Sequence, residues 1–225
     1  MKIPAGAGKE KEMEPQIISL QLALFFKELM RDPQIYGNEI SSQFEEFSGM
    51  PPMVFQGGTP IQFQIPTQNT ERIYSLSVAS DRMDFFTIKL NEKYTSIKED
   101  FTNLAQRLLE KVCTTKELVR IGMISTLFIK DDNPATTIAN NYFSDIISDG
   151  LIELSFRKNI RSNFENILTN HIFSKESTLN NNILGTVQSG IIIRHDINTI
   201  LIENGIQPVI LKKFFDANTE SLFKE

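Results

Sequence analysis

The stretch Ser189–Gly205, SGIIIRHDINTILIENG, decides how the rest of the chain is read. Three isoleucines, Ile191 to Ile193, run into Arg194-His195-Asp196, and apolar residues resume at Ile197. Side chains along a strand alternate between two faces. Ile191, Ile193, His195 and Ile197 therefore share one face, and Ile192, Arg194, Asp196 and Asn198 share the other. The first row is apolar apart from one imidazole, while the second is mixed. A strand with one face on a core has this asymmetry, so Thr186 to Glu203 reads as extended and a sheet forms the centre of the fold.

Upstream, Val119 to Lys130 is apolar on both faces, as a central strand is. Tyr74, Leu76 and Val78 alternate, Ala79-Ser80-Asp81 turns, and Arg82 to Leu90 runs extended, which gives an antiparallel hairpin. Met53 to Gln56 and Thr59 to Ile65 flank Gly57-Gly58, a pair suited to a two-residue turn, and Pro60 favours an edge position. Leu151 to Phe156 reads as a further strand with Ile152, Leu154 and Phe156 on one face. Helical spacing is strongest in residues 96–113, where Ile97, Phe101, Leu104, Leu108 and Val112 form a continuous stripe, and Ser96 with Glu99 has the form of a capping box. Ile17, Leu20 and Leu24 predict a helix from Gln16 to Arg31, stopped by Asp32-Pro33. Other helices are expected over Asn38 to Phe47, from Asn133-Pro134 to near Gly150, over Ile160 to His171, and from Pro208 onward. Asn180-Asn181-Asn182 reads as a loop. No internal repeat is visible.

The fold class is α+β, a mostly antiparallel or mixed sheet with helices packed on one face. Two interlocked αβ lobes are the alternative. Residues 1–15 read as a flexible leader and residues 16–225 as a single α+β domain, with a candidate lobe boundary near 115–135. A hydrophobic fraction of 40% supplies an ample core, and 17 Phe with no Trp bring large apolar area without a polar handle.

Composition removes several functions. There are 23 Lys+Arg against 28 Asp+Glu, a net of -5, and neither half of the chain has a basic excess. A nucleic-acid partner is therefore disfavoured. The richest basic run, Arg157-Lys158-Asn159-Ile160-Arg161, is short and reads as a solvated junction between strand and helix. One cysteine, Cys113, allows no intramolecular disulfide and reads as a small buried hydrophobe. Two histidines 24 residues apart, without HxxxH spacing, make a zinc site unexpected. Asp131-Asp132 suits a helix N-terminus, and Asp145 and Asp149 match no calcium loop. Gly6-Ala7-Gly8-Lys9 lacks the first glycine and the Ser or Thr of a phosphate-binding loop, GxSxG and GxGxxG are absent, and no apolar run approaches a membrane span. No metal and no cofactor are expected, and a cytoplasmic setting is the default.

Ser80-Asp81-Arg82-Met83-Asp84-Phe85-Phe86, Tyr94 with Ile97 and Phe101, Arg120-Ile121-Gly122, Asp196-Ile197-Asn198-Thr199 and the Phe-rich stretch from Phe214 to Phe223 follow one another in an order that resembles a sporadically distributed family of uncharacterised prokaryotic proteins. The resemblance covers residues 70–225. The first 60 residues depart from it, because that family opens with an extended Pro-rich strand and this chain reads as opening with a helix. It brings no catalytic residues and implies an association with mobile or defence-type gene neighbourhoods.

One polar constellation could carry chemistry: Arg120, Arg194, His195 and Asp196. Adjacent His and Asp point to opposite faces of a strand and cannot form a dyad there without a bulge. His195 reads as a core or rim histidine held by a backbone carbonyl. Arg194 and Asp196 read as a structural ion pair, with Asp196–Arg120 as the other pairing. No catalytic residues are assigned. Phe214, Phe215, Leu222 and Phe223 at the C-terminus are interface candidates. The functional expectation is a non-catalytic interaction or assembly subunit, with a protein partner or a homo-oligomer, in a defence or toxin–antitoxin type system. The alternative is an enzyme or nucleotide-responsive sensor built on the four polar residues.

Overall fold

The computed structural model describes residues 14–47, 53–55, 62–66, 71–143 and 150–224. Their elements run β1 (Gln16–Phe26), α1 (Pro33–Ser41), β2 (Met53–Phe55), β3 (Gln62–Pro66), β4 (Arg72–Val78), β5 (Arg82–Lys89), α2 (Ile97–Thr115), β6 (Leu118–Lys130), α3 (Pro134–Tyr142), β7 (Ser155–Phe164), β8 (Ile167–Ile183), β9 (Thr186–Thr199) and α4 (Pro208–Thr219). Short 3₁₀ turns lie at Glu45–Phe47 and Glu220–Phe223. The strands form one sheet in the order β2-β3-β4-β5-β1-β6-β9-β8-β7, and every pairing is antiparallel. This is the α+β class expected.

The described helices pack on one face of the sheet. Leu20, Leu22 and Leu24 of β1, Phe85 of β5 and Ile121 and Met123 of β6 meet Phe101, Leu104 and Leu108 of α2, Leu211, Phe214 and Phe215 of α4, and Tyr36 and Ile40 of α1. The rings of Phe85 and Phe101 stack at 5.6 Å between centroids. At the far end of the same face, Ile138 of α3 packs on Leu127, Ile191 and Ile193. The isoleucine row of the 189–205 stretch thus faces the helices.

Several elements differ from expectation. Gln16–Phe26 is a strand, with Leu20, Leu22, Leu24 and Phe26 inward. Leu20 and Leu24 satisfy a helical and a strand period alike, and hydrogen bonding to β5 on one side and β6 on the other settles the choice. Asp32-Pro33 begins a helix instead of ending one: the Asp32 carboxylate accepts from the Ile35 N–H at 3.0 Å, with Pro33 in the first turn. Residues 160–171 form the β7–β8 hairpin, not a helix. Glu165 and Asn166, at φ 48° and 66°, make the two-residue turn that both positive φ values define. β7 starts at Ser155, so Leu151–Leu154 precedes the strand. The asparagines at 180–182 lie inside β8, where the register shifts between Thr178 and Asn181 and Asn180 has φ 51°. Ser96 makes no side-chain capping bond. The turn at Gly57-Gly58, the leader before residue 14 and the helix end beyond Phe143 lie outside the described residues.

A repeat invisible in the sequence is present in the topology. Apart from the short strand β2, which only the first half has, β1-α1-β3-β4-β5-α2 and β6-α3-β7-β8-β9-α4 follow the same order of elements. In each half the opening strand lies beside the closing one, β1 beside β5 and β6 beside β9. The two opening strands pair antiparallel, with Leu22 opposite Met123, and fuse the halves into one sheet. The halves meet at Lys116-Glu117. The side chains carry no matching pattern, which is why no repeat is read from them.

Candidate functional site

No described helix covers the other face of the sheet. Registers place its residues in rows across the strands. One row runs Phe86, Gln21, Ile124, Asp196, Ile172 and Asn159, and the next runs Ser19, Thr126, Arg194, Ser174 and Arg157. The end of this face beyond Thr126 is closed. There β8 and β9 bend so that Ile183 and Leu184 bury Phe128, with Ile18 and Ile192 alongside. Gly190 permits the bend. A Cβ at that position would lie 2.2 Å from the Ile129 carbonyl oxygen and 2.5 Å from the Phe128 ring.

Of the four polar residues, the structure brings Arg194 and Asp196 together. They line a concavity of about 350 Å³ with Arg157, Ser174, Ile124 and Ile172. They do not form the ion pair that their spacing suggests, among the described residues. Asp196 Oδ1 instead accepts from Asn198 Nδ2 at 2.7 Å, Asn198 Oδ1 accepts from Asn170 Nδ2 at 3.2 Å, and Arg161 Nε donates to Asn170 Oδ1 at 3.3 Å. A neighbour on the same strand satisfies the carboxylate and leaves Arg194 facing the concavity.

Arg120 shares this face but stands elsewhere. It lies four residues along β6 from Ile124, the partner of Asp196, or about 13 Å at the strand rise. Its guanidinium sits 4.9 Å over the Phe25 ring, and Arg82 approaches the same ring from β5 at 5.1 Å. Arg82 also grips Asp84 through two hydrogen bonds of 2.7 Å, and Gln21 donates to the same carboxylate at 2.8 Å. This bidentate bond raises the Arg82 pKa above its ordinary value. Asp84 is only 6% exposed, so the cluster is a structural tie at the edge of the open face.

His195 falls on the helix side, as alternation requires. Its ring meets Phe173 edge-on at 5.1 Å, and Nε2 has no hydrogen-bond partner among the described residues. Burial lowers its pKa, helped by nearby Lys175 and His171, while the Lys224 backbone offsets part of the shift. His195 therefore cannot share a reacting centre with Asp196 or Arg194. Asp84 and Asp196 lie three strands apart, about 14 Å at normal strand spacing and far beyond a shared metal pair. Among the described residues no group of three or more His, Cys, Asp or Glu is placed to hold a metal ion.

The C-terminal interface candidates are core. Phe214 and Phe215 are 1% exposed, Leu222 is fully buried, and Phe223 is partly covered with Lys98 Nζ 4.6 Å over its ring. Helix α4 lies against α2 and the sheet, which uses up the wide apolar face those residues create. Reading the sequence missed Arg157 and Ser174 as partners of Arg194. The signal was present in Arg157-Lys158-Asn159-Ile160-Arg161, but a helix expected at Ile160 hid the alternation that puts Arg157 and Arg161 on one face.

Compared with known protein families and with curated protein sequences, the chain matches none. No described helix is long and apolar enough to cross a membrane.

Proposed function

We propose that this chain is a non-catalytic interaction subunit and that it presents the helix-free face of its sheet to a protein partner. The observation that supports this most is the composition of that face. An antiparallel sheet with one solvated side ordinarily shows polar residues there. Here Phe25, Phe86, Ile88, Ile124 and Ile172 stand among arginines and amides, and none of them is fully buried. Apolar area rimmed by polar groups is the usual form of a protein-binding surface. The resemblance implies mobile or defence-type gene neighbourhoods, and the reading is of a subunit in a prokaryotic defence or toxin–antitoxin type system with its partner encoded beside it. Co-expression with each neighbouring gene product tests this. Stable co-purification that is lost in an Ile124→Glu, Ile172→Glu double variant supports it, and a monodisperse chain that captures none of them counts against it.

The sensor or enzyme reading keeps one supporting observation, the concavity where Arg157, Ser174, Arg194 and Asp196 converge. It reduces to those residues, since His195 and Arg120 lie away from them. Phosphatase or nuclease turnover abolished by Arg194→Ala but not by His195→Ala would favour it.

A further inference from the structure

The sheet ends at β7, Ser155–Phe164, and no described strand pairs with its outer edge. This edge is long and nearly all its residues are exposed. In a two-residue hairpin the residues flanking the turn, here Phe164 and Ile167, bond to each other, and every second residue before them bonds the partner strand. The backbone N–H and C=O groups of Ser155, Arg157, Asn159, Arg161 and Asn163 therefore point outward. A row of unpaired backbone groups is a template for another strand.

The charge on this edge selects what can use it. β7 carries Arg157, Lys158 and Arg161 and no carboxylate. None of the three is in an ion pair among the described residues. Arg161 donates to the Asn170 amide, and Lys158 lies 5.3 Å over the Phe173 ring. Arg194 adds a fourth cation behind Arg157, across Ser174. The carboxylates nearest these cations are Glu176, opposite Ser155 and diagonal to Arg157, Asp196 on the strand of Arg194, which accepts from Asn198, and Glu165 in the turn, which pairs with Lys213. A second copy of this chain is a poor occupant. Pairing two β7 strands about Asn159 sets Arg157 opposite Arg161 twice, and pairing them about Ile160 sets Arg161 diagonal to its own copy. Either seam gathers six cations without an acid, and facing like charges are destabilising.

We infer that β7 receives an extended acidic segment of a partner protein as a tenth strand, with carboxylates opposite Arg157 and Arg161. Main-chain hydrogen bonds supply the affinity, and the alternating cations set the sign of charge accepted. Acidic side chains on alternate residues reach Arg157 and Arg161 on the helix-free face, while the residues between them fall on the side of Lys158 and Phe156. This rests on the proposed interaction role and names the partner's chemistry.

The test uses the full chain and a ten-residue peptide alternating Glu and Val, with its Lys-for-Glu counterpart, followed by fluorescence polarisation. The Glu peptide should bind at least tenfold tighter than the Lys peptide. Asn159→Pro removes one outward N–H without touching the bonds to β8, and should weaken binding at least tenfold while far-UV dichroism stays unchanged. Arg157→Glu with Arg161→Glu leaves the backbone intact and should reverse the preference between the peptides. Equal binding of the two peptides overturns the inference, as does a charge-reversed variant that keeps the original preference. A dimer dissociated by Asn159→Pro would make a second copy the occupant and overturn it too. So would a single-stranded oligonucleotide that competes off the Glu peptide and binds Asn159→Pro as tightly as wild type. A co-purified native partner that binds Asn159→Pro and the charge-reversed variant like wild type sinks the edge assignment while leaving the interaction role intact.

Discussion

Replacing Gly190 with alanine is the sharpest probe of how the sheet's open face is closed. The added methyl would lie 2.2 Å from the Ile129 carbonyl oxygen and 2.5 Å from the Phe128 ring, where ordinary contact begins at 3.4 Å. Relief requires a shift of roughly 1 Å by a ladder backbone or by a fully buried phenyl ring, and neither moves freely in a close-packed interior. Overpacking of this kind costs about 1–3 kcal/mol. For a domain of this size each kcal/mol lowers Tm by about 2–4 °C, so the variant should melt about 2–12 °C below wild type. Gly122 provides the control. A Cβ there meets Asn198 Cβ at 3.5 Å and Ala23 Cβ at 3.8 Å, both ordinary contacts. Relief of glycine's conformational entropy should make Gly122→Ala neutral or stabilising by roughly 0.5–1 kcal/mol. Both variants are measured by calorimetry and by urea unfolding. Gly190→Ala melting with wild type, or Gly122→Ala falling as far, would refute the account of the bend.

Three further outcomes follow from the side-chain environments. Burial lowers the pKa of His195 and of His171, so the unfolded chain binds more protons than the folded one below the ordinary histidine value. Their stability contribution is complete above about pH 6.5 and is lost as pH falls toward the depressed folded values. Urea midpoints should drop between pH 7.5 and pH 5.5, and His195→Phe should flatten that drop; a midpoint independent of pH in wild type would contradict the assignment. The Cys113 thiol is pushed up to about 11, chiefly by burial and then by Glu110. Iodoacetamide at pH 8 should modify it far more slowly in the folded chain than in urea, and equal rates would show the site is open. Asp84→Ala strips Arg82 of two charge-assisted hydrogen bonds and Gln21 of one, and should cost about 2 kcal/mol in chemical denaturation. A Glu at the same position should not restore that loss, because the longer side chain misplaces the bidentate geometry.

Some of this was legible from residues alone because one period excluded the other. The α2 stripe from Ile97 to Val112 fits only a helix, and the rows in Ser189–Thr199 fit only a strand, although the strand expected to run on to Glu203 ends at Thr199. Gln16–Phe26 was not legible: its apolar residues satisfy both periods, and its fate depends on β5 and β6, distant in sequence. Phe164, Ile167 and Leu168 misled in the same way, because helical spacing in a short window ignores the turn that Glu165-Asn166 makes. The site divides similarly. Alternation alone separated His195 from Asp196. That Asp196 would bond Asn198 in preference to Arg194, and that Arg157 would arrive from β7, depends on registers that no local pattern encodes. The C-terminal phenylalanines were ambiguous for a related reason: an amphipathic helix shows that it has a buried face, not what buries it.

The seam between β1 and β6 sets a schedule for making the protein. Residues 16–26 emerge from the ribosome about a hundred residues before residues 118–128, their partners across the centre of the sheet. The first half can close β1 against β5, but the other edge of β1 stays open until β6 is synthesised. During that interval a strand that ends up in the middle of the finished sheet is an exposed, leucine-rich edge. Such long-range pairing slows folding and leaves nascent chains prone to association. Truncation after Thr115 would freeze the chain at that stage, and its aggregation would measure how much β6 protects.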